Sequence, residues 1–333
     1  MATSHLSLII PVYNRPNEVE ELLDSLTRQS ETNFEVVIVE DGSKETCQHV
    51  VEAFKDKLDV SYSYIPNGGP GNARNYGAKQ SKGDYLIVLD SDCILPPDYI
   101  KSVNKELKET GADAFGGPDK ASDSFTDVQK AINYSMTSFF TTGGIRGGKI
   151  QMEKFVPRTF NTGFSRQVAD TVGGFREMFS EDIDMSTRIR RAGFSIALYR
   201  DVKVFHKRRV SMRKFWRQVH VFGMSRITLQ LLYPGSMKLV HWLPALFVLG
   251  ALGLIIGSIF CVWLLIPLAV YILALFISAW VSMRRLKLAL MAIATSMVQL
   301  FGYGTGFLRA YTWKILLRHG RDEQQEINMR RGK

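Results

Sequence analysis

The fold class this sequence predicts is an open, mostly parallel α/β sheet with helices on both faces, followed by C-terminal transmembrane helices. Three observations predict it. Short apolar runs alternate with segments of helical periodicity in a part that reads as soluble up to about residue 235. Two carboxylates, Asp90 and Asp92, stand just past one of those runs, and from Leu239 to Met283 the chain carries no Asp, Glu, Lys or Arg. A chain of 333 residues has room for two ordinary domains, and here the composition itself is split into a mixed part and an oily one.

Leu6 to Val12 is a short apolar strand. After Pro16, which suits the first turn of a helix, Val19, Leu22, Leu23 and Leu26 recur at helical spacing. Glu35 to Glu40 is a second strand, apolar enough to be covered on both faces. The three segments read as a β-α-β unit with a right-handed crossover. Ser61 to Ile65 and Tyr85 to Leu89 supply further strands, with a helix over Asn72 to Gln80 between them. A strand-like run from Ser195 to Phe205 follows later, just before His206.

The chemistry gathers at the ends of these elements. Asp90-Ser91-Asp92 follows the run that ends at Leu89, and alternate residues at a strand end can point the same way, offering hard oxygen donors to Mg²⁺ or Mn²⁺. In an open α/β sheet the ligand crevice lies outside the carboxyl ends of the strands. A polar turn is the plain alternative for such a tripeptide. Gly68-Gly69-Pro70-Gly71-Asn72-Ala73-Arg74-Asn75 opens a helix with backbone N–H groups and a guanidinium suited to a diphosphate. It has neither the Gly-Lys-Ser/Thr of a P-loop nor the GxGxxG spacing of a dinucleotide dehydrogenase. Ser180-Glu181-Asp182 opens another helix, either as an ordinary capped, acidic first turn or as the seat of a general base for a hydroxyl. His206 reads as a structural residue, a lipid-facing cation or a third metal ligand. Cys47, Cys93 and Cys261 are too dispersed for a disulfide framework or a zinc site.

The uncharged stretch from Leu239 to Met283 is long enough for two crossings of about 20 residues each, with turns available at Gly257-Ser258 or Pro267. A further uncharged segment, Leu288 to Leu308, contains Gln299, Gly302, Gly304 and Gly306, and the region 288–318 is interfacial, re-entrant or transmembrane, ahead of a polar tail over 319–333. Lys and Arg exceed Asp and Glu by 42 to 32, a net charge of +10. Much of the excess lies at Arg200, Lys203, Lys207, Arg208, Arg209, Arg213, Lys214 and Arg217, interleaved with Phe205, Phe215, Trp216 and Phe222. Over residues 205–236 this predicts an interfacial helix on anionic membrane lipid, not a nucleic-acid surface. Met1 to Ser7 has no basic region and Leu8 to Val12 is too short for a signal peptide. The soluble part is therefore expected on the cytoplasmic side of the cell (inner) membrane of a multi-pass protein, consistent with Arg284, Arg285 and Lys287 after the second expected crossing. No oligomeric state is implied.

Six motifs in order resemble glycosyltransferase family 2: Ser7 to Asn14 (SLIIPVYN), Val39 to Ser43 (VEDGS), Gly71 to Asn75 (GNARN), Gly83 to Asp92 (GDYLIVLDSD), Gly173-Gly174-Phe175 and Ser180-Glu181-Asp182. The resemblance covers roughly residues 5 to 225 and implies a GT-A fold over 1–225, binding a nucleotide-sugar donor. It places Pro11, Val12, Tyr13 and Arg15 along the nucleoside, Asp41 near the base, Glu40 near the ribose or base, and Arg74 on the base or diphosphate. It makes Asp90 and Asp92 the DxD pair for Mn²⁺ or Mg²⁺, with Asp92 the more direct ligand. Asn161, Thr162 and Gly163 match the segment that frames donor sugar and acceptor; Asp182 matches the catalytic base, Glu181 its neighbour, and His206 a histidine near metal and diphosphate. Glu40 departs from the Asp-Asp-Gly-Ser the family commonly has. The Gln-x-x-Arg-Trp motif of processive synthases has no match, which implies single additions. The acceptor is expected to be a lipid-linked or surface glycan or a polyprenyl phosphate, and a non-catalytic nucleotide-sugar-binding adaptor is the alternative that retention of Asp90, Asp92 and Asp182 disfavours.

Overall fold

The computed structural model describes residues 5–120, 126–142, 155–206 and 211–317. In chain order the elements are β1 (Leu6–Val12), α1 (Pro16–Thr27), β2 (Phe34–Asp41), α2 (Gln48–Phe54), β3 (Val60–Ile65), α3 (Pro70–Gln80), β4 (Tyr85–Leu89), β5 (Cys93–Ile94), α4 (Tyr99–Thr110), β6 (Ala114–Gly116) and β7 (Asp119–Lys120). There follow α5 (Asp127–Thr137), α6 (Phe139–Thr142), β8 (Asn161–Ser165), α7 (Arg166–Val172), α8 (Glu181–Arg191), β9 (Ile196–Leu198) and β10 (Val204–His206). The chain closes on α9 (Met212–Leu232), α10 (Leu243–Gly257), α11 (Ile266–Met283) and α12 (Leu286–Tyr311).

These elements form two compact units, and the cut is not a single one: of the described residues, 5–120 and 155–206 belong to the first unit and 126–142 and 211–317 to the second. The first unit is built on a seven-stranded sheet of order β3-β2-β1-β4-β8-β6-β9. Its first four strands run parallel, and β8 enters antiparallel to both β4 and β6. Strand order reverses at β1, so the crevice between the carboxyl ends of β1 and β4 is where a ligand binds in an open sheet. Alternation along β1 makes two layers. Leu6, Leu8, Ile10 and Val12 pack with the Val19, Leu22, Leu23 and Leu26 stripe of α1, while Ile9 faces Leu86, Val88, Phe164 and Met185. Helix α3 lies close on the sheet through Gly77, where a Cβ would fall 2.6 Å from Ile9 Cγ2. A second, three-stranded sheet, β5-β10-β7, pairs His206 with Cys93, the residue after Asp92.

The second unit holds α5, α6 and α9 to α12. Among the described residues two helical stretches are long and apolar enough to cross a membrane, Val262–Met283 and Leu286–Leu316. Helix α10, at 15 residues, is shorter than the roughly 20 a crossing needs. The charge-free run 239–283 thus contains one full-length stretch because the chain turns between Gly257 and Cys261. Glycines do not break α12. A Cβ at Gly306 would sit 2.0 Å from the His220 carbonyl oxygen and one at Gly223 2.1 Å from that of Tyr303, so they let α9 and α12 touch backbone to backbone. Along α9, Arg213, Lys214, Trp216 and Arg217 are exposed, whereas Gly223 to Leu229 is almost wholly buried. The sequence expectation for Lys207, Arg208 and Arg209 falls outside the described residues.

Candidate active site

Two loops leave the sheet at its switch point and are tied to each other. Asn14 follows β1 in the left-handed region, φ 52°, which Asn tolerates better than most residues. Its Oδ1 accepts the N–H groups of Lys44 and Glu45 at 2.8 and 3.1 Å, and its own N–H donates to Ser43 Oγ at 2.7 Å. Ser43 donates to Glu40, whose second oxygen accepts the Cys47 N–H at 2.7 Å. Burial and the adjoining Glu40 push the Cys47 thiol well up, which leaves it unreactive. Asp41 takes the N–H groups of Gly68 and Gly69 at 2.7 and 3.0 Å. Both carboxylates at the end of β2 are buried and turned inward, where they hold the loops beside the crevice.

Arg74 is the hub. It projects from α3, is 4% exposed, and lies over the Phe175 ring, its Cζ 5.5 Å from the centroid. Its Nη2 donates to Asp90 Oδ1 and its Nη1 to Glu181 Oε1, both at 3.0 Å. Burial works against the positive charge, but Asp90 and Glu181 overcome it and leave the guanidinium pKa raised. The start of α8 is brought to Arg74 by a reciprocal clamp one residue further along α3. Asn75 Nδ2 donates to the Phe175 carbonyl and Asn75 Oδ1 accepts the Phe175 N–H, each at 2.7 Å. Gly174, at φ 77°, makes the turn; a Cβ there would meet Asn75 Oδ1 at 2.5 Å. Ser180 is itself left-handed at φ 60° and does not cap the helix with its side chain. Asp182 Oδ1 instead accepts the Ile183 N–H at 2.8 Å. Non-glycine residues in this region mark backbone held by its surroundings, and both Asn14 and Ser180 adjoin residues of the site.

Two more ion pairs complete the constellation. Arg15 bonds Asp92 directly, and Arg158 Nη1 donates to Asp182 Oδ2 at 2.8 Å. Burial opposes the Arg15 charge and Asp92 more than restores it. Four carboxylates thus meet three guanidiniums, with Asp90 30% and Asp92 13% exposed. Such a set can exchange a guanidinium for another cation, or offer the guanidinium to an incoming anion. Among the described residues no three His, Cys, Asp or Glu side chains converge as a closed metal cage.

The sequence profile described as "Glycosyl transferase family 2" matches residues 7–173, half of the chain. The chain belongs to glycosyltransferase family 2. An uncharacterized glycosyltransferase of Haemophilus influenzae is 48% identical over 104 residues, 31% of this chain and 35% of that protein. The poly(ribitol-phosphate) beta-N-acetylglucosaminyltransferase TarS of Staphylococcus aureus is 40% identical over 111 residues, 32% of this chain and 18% of TarS. The matched stretches are thus well under two thirds of these relatives. The fold is that of the mannosyltransferase PcManGT of Pyrobaculum calidifontis, solved with GDP-Man and Mn²⁺: TM-score 0.57, 17% identity, 96% of this chain and 89% of that one. It is the GT-A fold.

Within this family 2 chain the expected site residues divide into two groups. Arg15, Arg74, Asp90, Asp92, Glu181 and Asp182 lie in the linked pairs above. Tyr13 is half exposed beside them in sequence, while Val12 faces the core and Pro11 ends β1 with it. Asn161 is fully buried, accepting from Tyr99 Oη and donating to the Val202 carbonyl, each at 2.7 Å. Thr162 Oγ1 donates to the Phe115 carbonyl at 3.1 Å. With Glu40 and Asp41, these residues hold the walls of the crevice. The backbone of His206 reaches the neighbourhood through its strand pairing with Cys93. Arg158 and the Asn75 clamp were not anticipated. Arg158 sits in no periodic segment, and only its distance from Asp182 reveals it.

Proposed function

We propose that this chain is an inverting, metal-dependent glycosyltransferase that moves a sugar from a nucleotide-diphosphate donor, first a UDP-sugar, to a lipid-linked or surface glycan acceptor at the cytoplasmic face of the membrane. The observation that carries this reading is Arg74 bridging Asp90 and Glu181 next to the Arg15–Asp92 and Arg158–Asp182 pairs. Asp182 takes the proton of the acceptor hydroxyl as its oxygen bonds the anomeric carbon and the bond to the diphosphate oxygen breaks. Glu181 holds Arg74, and Arg74 and Arg15 offer positive charge to the departing nucleoside diphosphate. The donor chemistry at Asp90 and Asp92 suits Mn²⁺ or Mg²⁺, two hard carboxylates with phosphate oxygens completing the shell, and such an ion when bound neutralises diphosphate charge.

Several findings support the finer parts. PcManGT, which shares the fold, was solved with a nucleotide sugar and Mn²⁺. TarS, 40% identical over its matched stretch, is an N-acetylglucosaminyltransferase, which favours a UDP-sugar. Two helices of crossing length and the exposed Arg213, Lys214 and Arg217 favour an anionic bilayer surface and an acceptor carried on lipid. A donor screen with the purified chain in detergent, with Mn²⁺ and lipid-linked acceptors, tests the reading by release of nucleoside diphosphate. Release from UDP-sugars is expected; release from no nucleotide sugar overturns it.

A further inference from the structure

Beyond the catalytic unit, an insertion carries its own message. The chain leaves that unit after β7, and α5 and α6 pack in the helical unit before it returns ahead of β8. Asp127, at the start of α5, pairs with Lys287 Nζ at 2.8 Å and Arg285 Nη1 at 3.7 Å, level with the charged turn between α11 and α12. Farther along, Tyr134 Oη donates to Ser278 Oγ at 2.8 Å, and Tyr271 Oη donates to the Phe140 carbonyl at 2.7 Å. The partners retreat along α11 from its Met283 end: Ser278 is about 7 Å in and Tyr271 about 18 Å, at 1.5 Å per residue. The hydrocarbon core is about 30 Å thick. Helix α11 exposes Val270, Leu273, Ile277 and Val281 along that whole stretch, so its half beside α5 is as apolar toward its surroundings as its other half.

We propose that residues 127–142 form a re-entrant segment that dips into the bilayer beside α11 and presents Phe139 and Phe140 to lipid hydrocarbon chains near mid-depth. The inference rests on α11 and α12 spanning the membrane. Phe139 and Phe140 are exposed, 61% and 41%, at the far end of the segment from Asp127. Backbone at that depth is tolerated only where its polar groups are satisfied by protein, and several of them are met within the segment and by α11. Thr126 and Gln129 close a reciprocal cap at the helix start. Thr137, Thr141 and Thr142 hydroxyls turn back onto the carbonyls of Asn133, Ser135 and Ser138, and Tyr271 answers that of Phe140. Lys130 stands one turn in from Asp127, close enough for its ammonium to reach the headgroup level. The partner is therefore the acyl chains of the bilayer's phospholipids.

The test is nitroxide labelling of the full chain in phospholipid vesicles, in a Cys261→Ser background that leaves the buried Cys47 and Cys93. Labels at Phe139→Cys and, as a second variant, Phe140→Cys are compared with Ile277→Cys on α11 and Lys105→Cys on α4. Relaxation by oxygen together with loss of relaxation by a water-soluble nickel chelate at 139 and 140, as at 277, is expected. Nickel relaxation at 139 and 140 like that at 105, with 277 still shielded, overturns the re-entrant segment alone. Nickel relaxation at 277 as well overturns the membrane-spanning reading and this inference with it.

Discussion

Arg74 and Glu181, 107 residues apart, are joined by a hydrogen bond of 3.0 Å, and the same guanidinium holds Asp90 with its other arm. One planar group thus locks the first turn of α8 to the end of β4. Replacing Arg74 with Met should leave both carboxylates without their shared cation, at a cost of about 3–5 kcal/mol for a buried pair broken on one side. Arg74→Lys should recover little, because a single ammonium does not span two carboxylates with a fixed fork. Thermal unfolding of the two variants in detergent measures this, and a Lys variant as stable as the parent would deny the bridge its importance.

Asp92→Ala should abolish the metal dependence of donor binding. With Asp92 gone, half of the carboxylate pair that faces a divalent ion is lost and Arg15 is released from its partner. Calorimetric titration of a nucleotide sugar with and without Mn²⁺ reads the effect; unchanged metal-dependent affinity would take the acidic pair out of the reaction.

Asp182→Asn keeps the shape of the side chain, including the acceptor for the Ile183 N–H, and removes the proton acceptor. Turnover should fall by a factor on the order of 10²–10⁴ with donor affinity nearly unchanged, the usual scale for a general base. Normal turnover at saturating acceptor would move the base to Glu181 or Asp184.

On α9, Arg213, Lys214 and Arg217 lie exposed around Trp216. Changing all three to Gln should weaken association with anionic vesicles by about 1 kcal/mol per residue, with the loss vanishing as salt rises. Transfer to a lipid-borne acceptor should drop more than transfer to a water-soluble one, and comparing the two acceptors at low and high salt tests it.

Glu35 links three strands: it accepts from Ser7 Oγ in β1 at 2.7 Å and from the N–H groups of Lys82 and Gly83 ahead of β4. Burial alone would raise its pKa, but those hydrogen bonds win and lower it. A depressed carboxylate contributes stability above its unfolded value near pH 4.5 and loses it as pH falls through the folded one. Glu35→Gln should therefore cost about 2 kcal/mol at pH 7, the scale of a hydrogen bond to a charged acceptor. The difference in melting between the two proteins should shrink on acidification toward pH 3; a difference that is the same at both pH values would assign it to packing.

What the sequence shows by itself is local. Short apolar runs located β1, β2 and β4, helical apolar spacing located α1, and α3 was placed by the strands on either side of it, because runs and periods arise within each segment. The carboxylates at the end of β4 pointed to the crevice because strand ends are where an open sheet binds ligands. Side-chain direction at those ends was another matter. Glu40, Asp41 and Asn161 stand in the motifs with Arg74 and Asp90, yet they face inward to Ser43, Gly68 and Val202. Neighbouring loops decide that, and their identity is not in the spacing.

Sequence alone determined the class of fold, the order of its elements from β1 to β4, the family resemblance and the oily C-terminal third, all of which rest on apolar runs, periodicity, composition and short motifs. Only the tertiary structure decided that Arg74 bridges Glu181 and Asp90, that Arg158 faces Asp182, and that α5 and α6 join the helical unit. The physical reason is range. A period is written within a dozen neighbouring residues, whereas an ion pair across 107 positions exists only once sheet packing, the Asn75 clamp and the turn at Gly174 have brought two helix ends together.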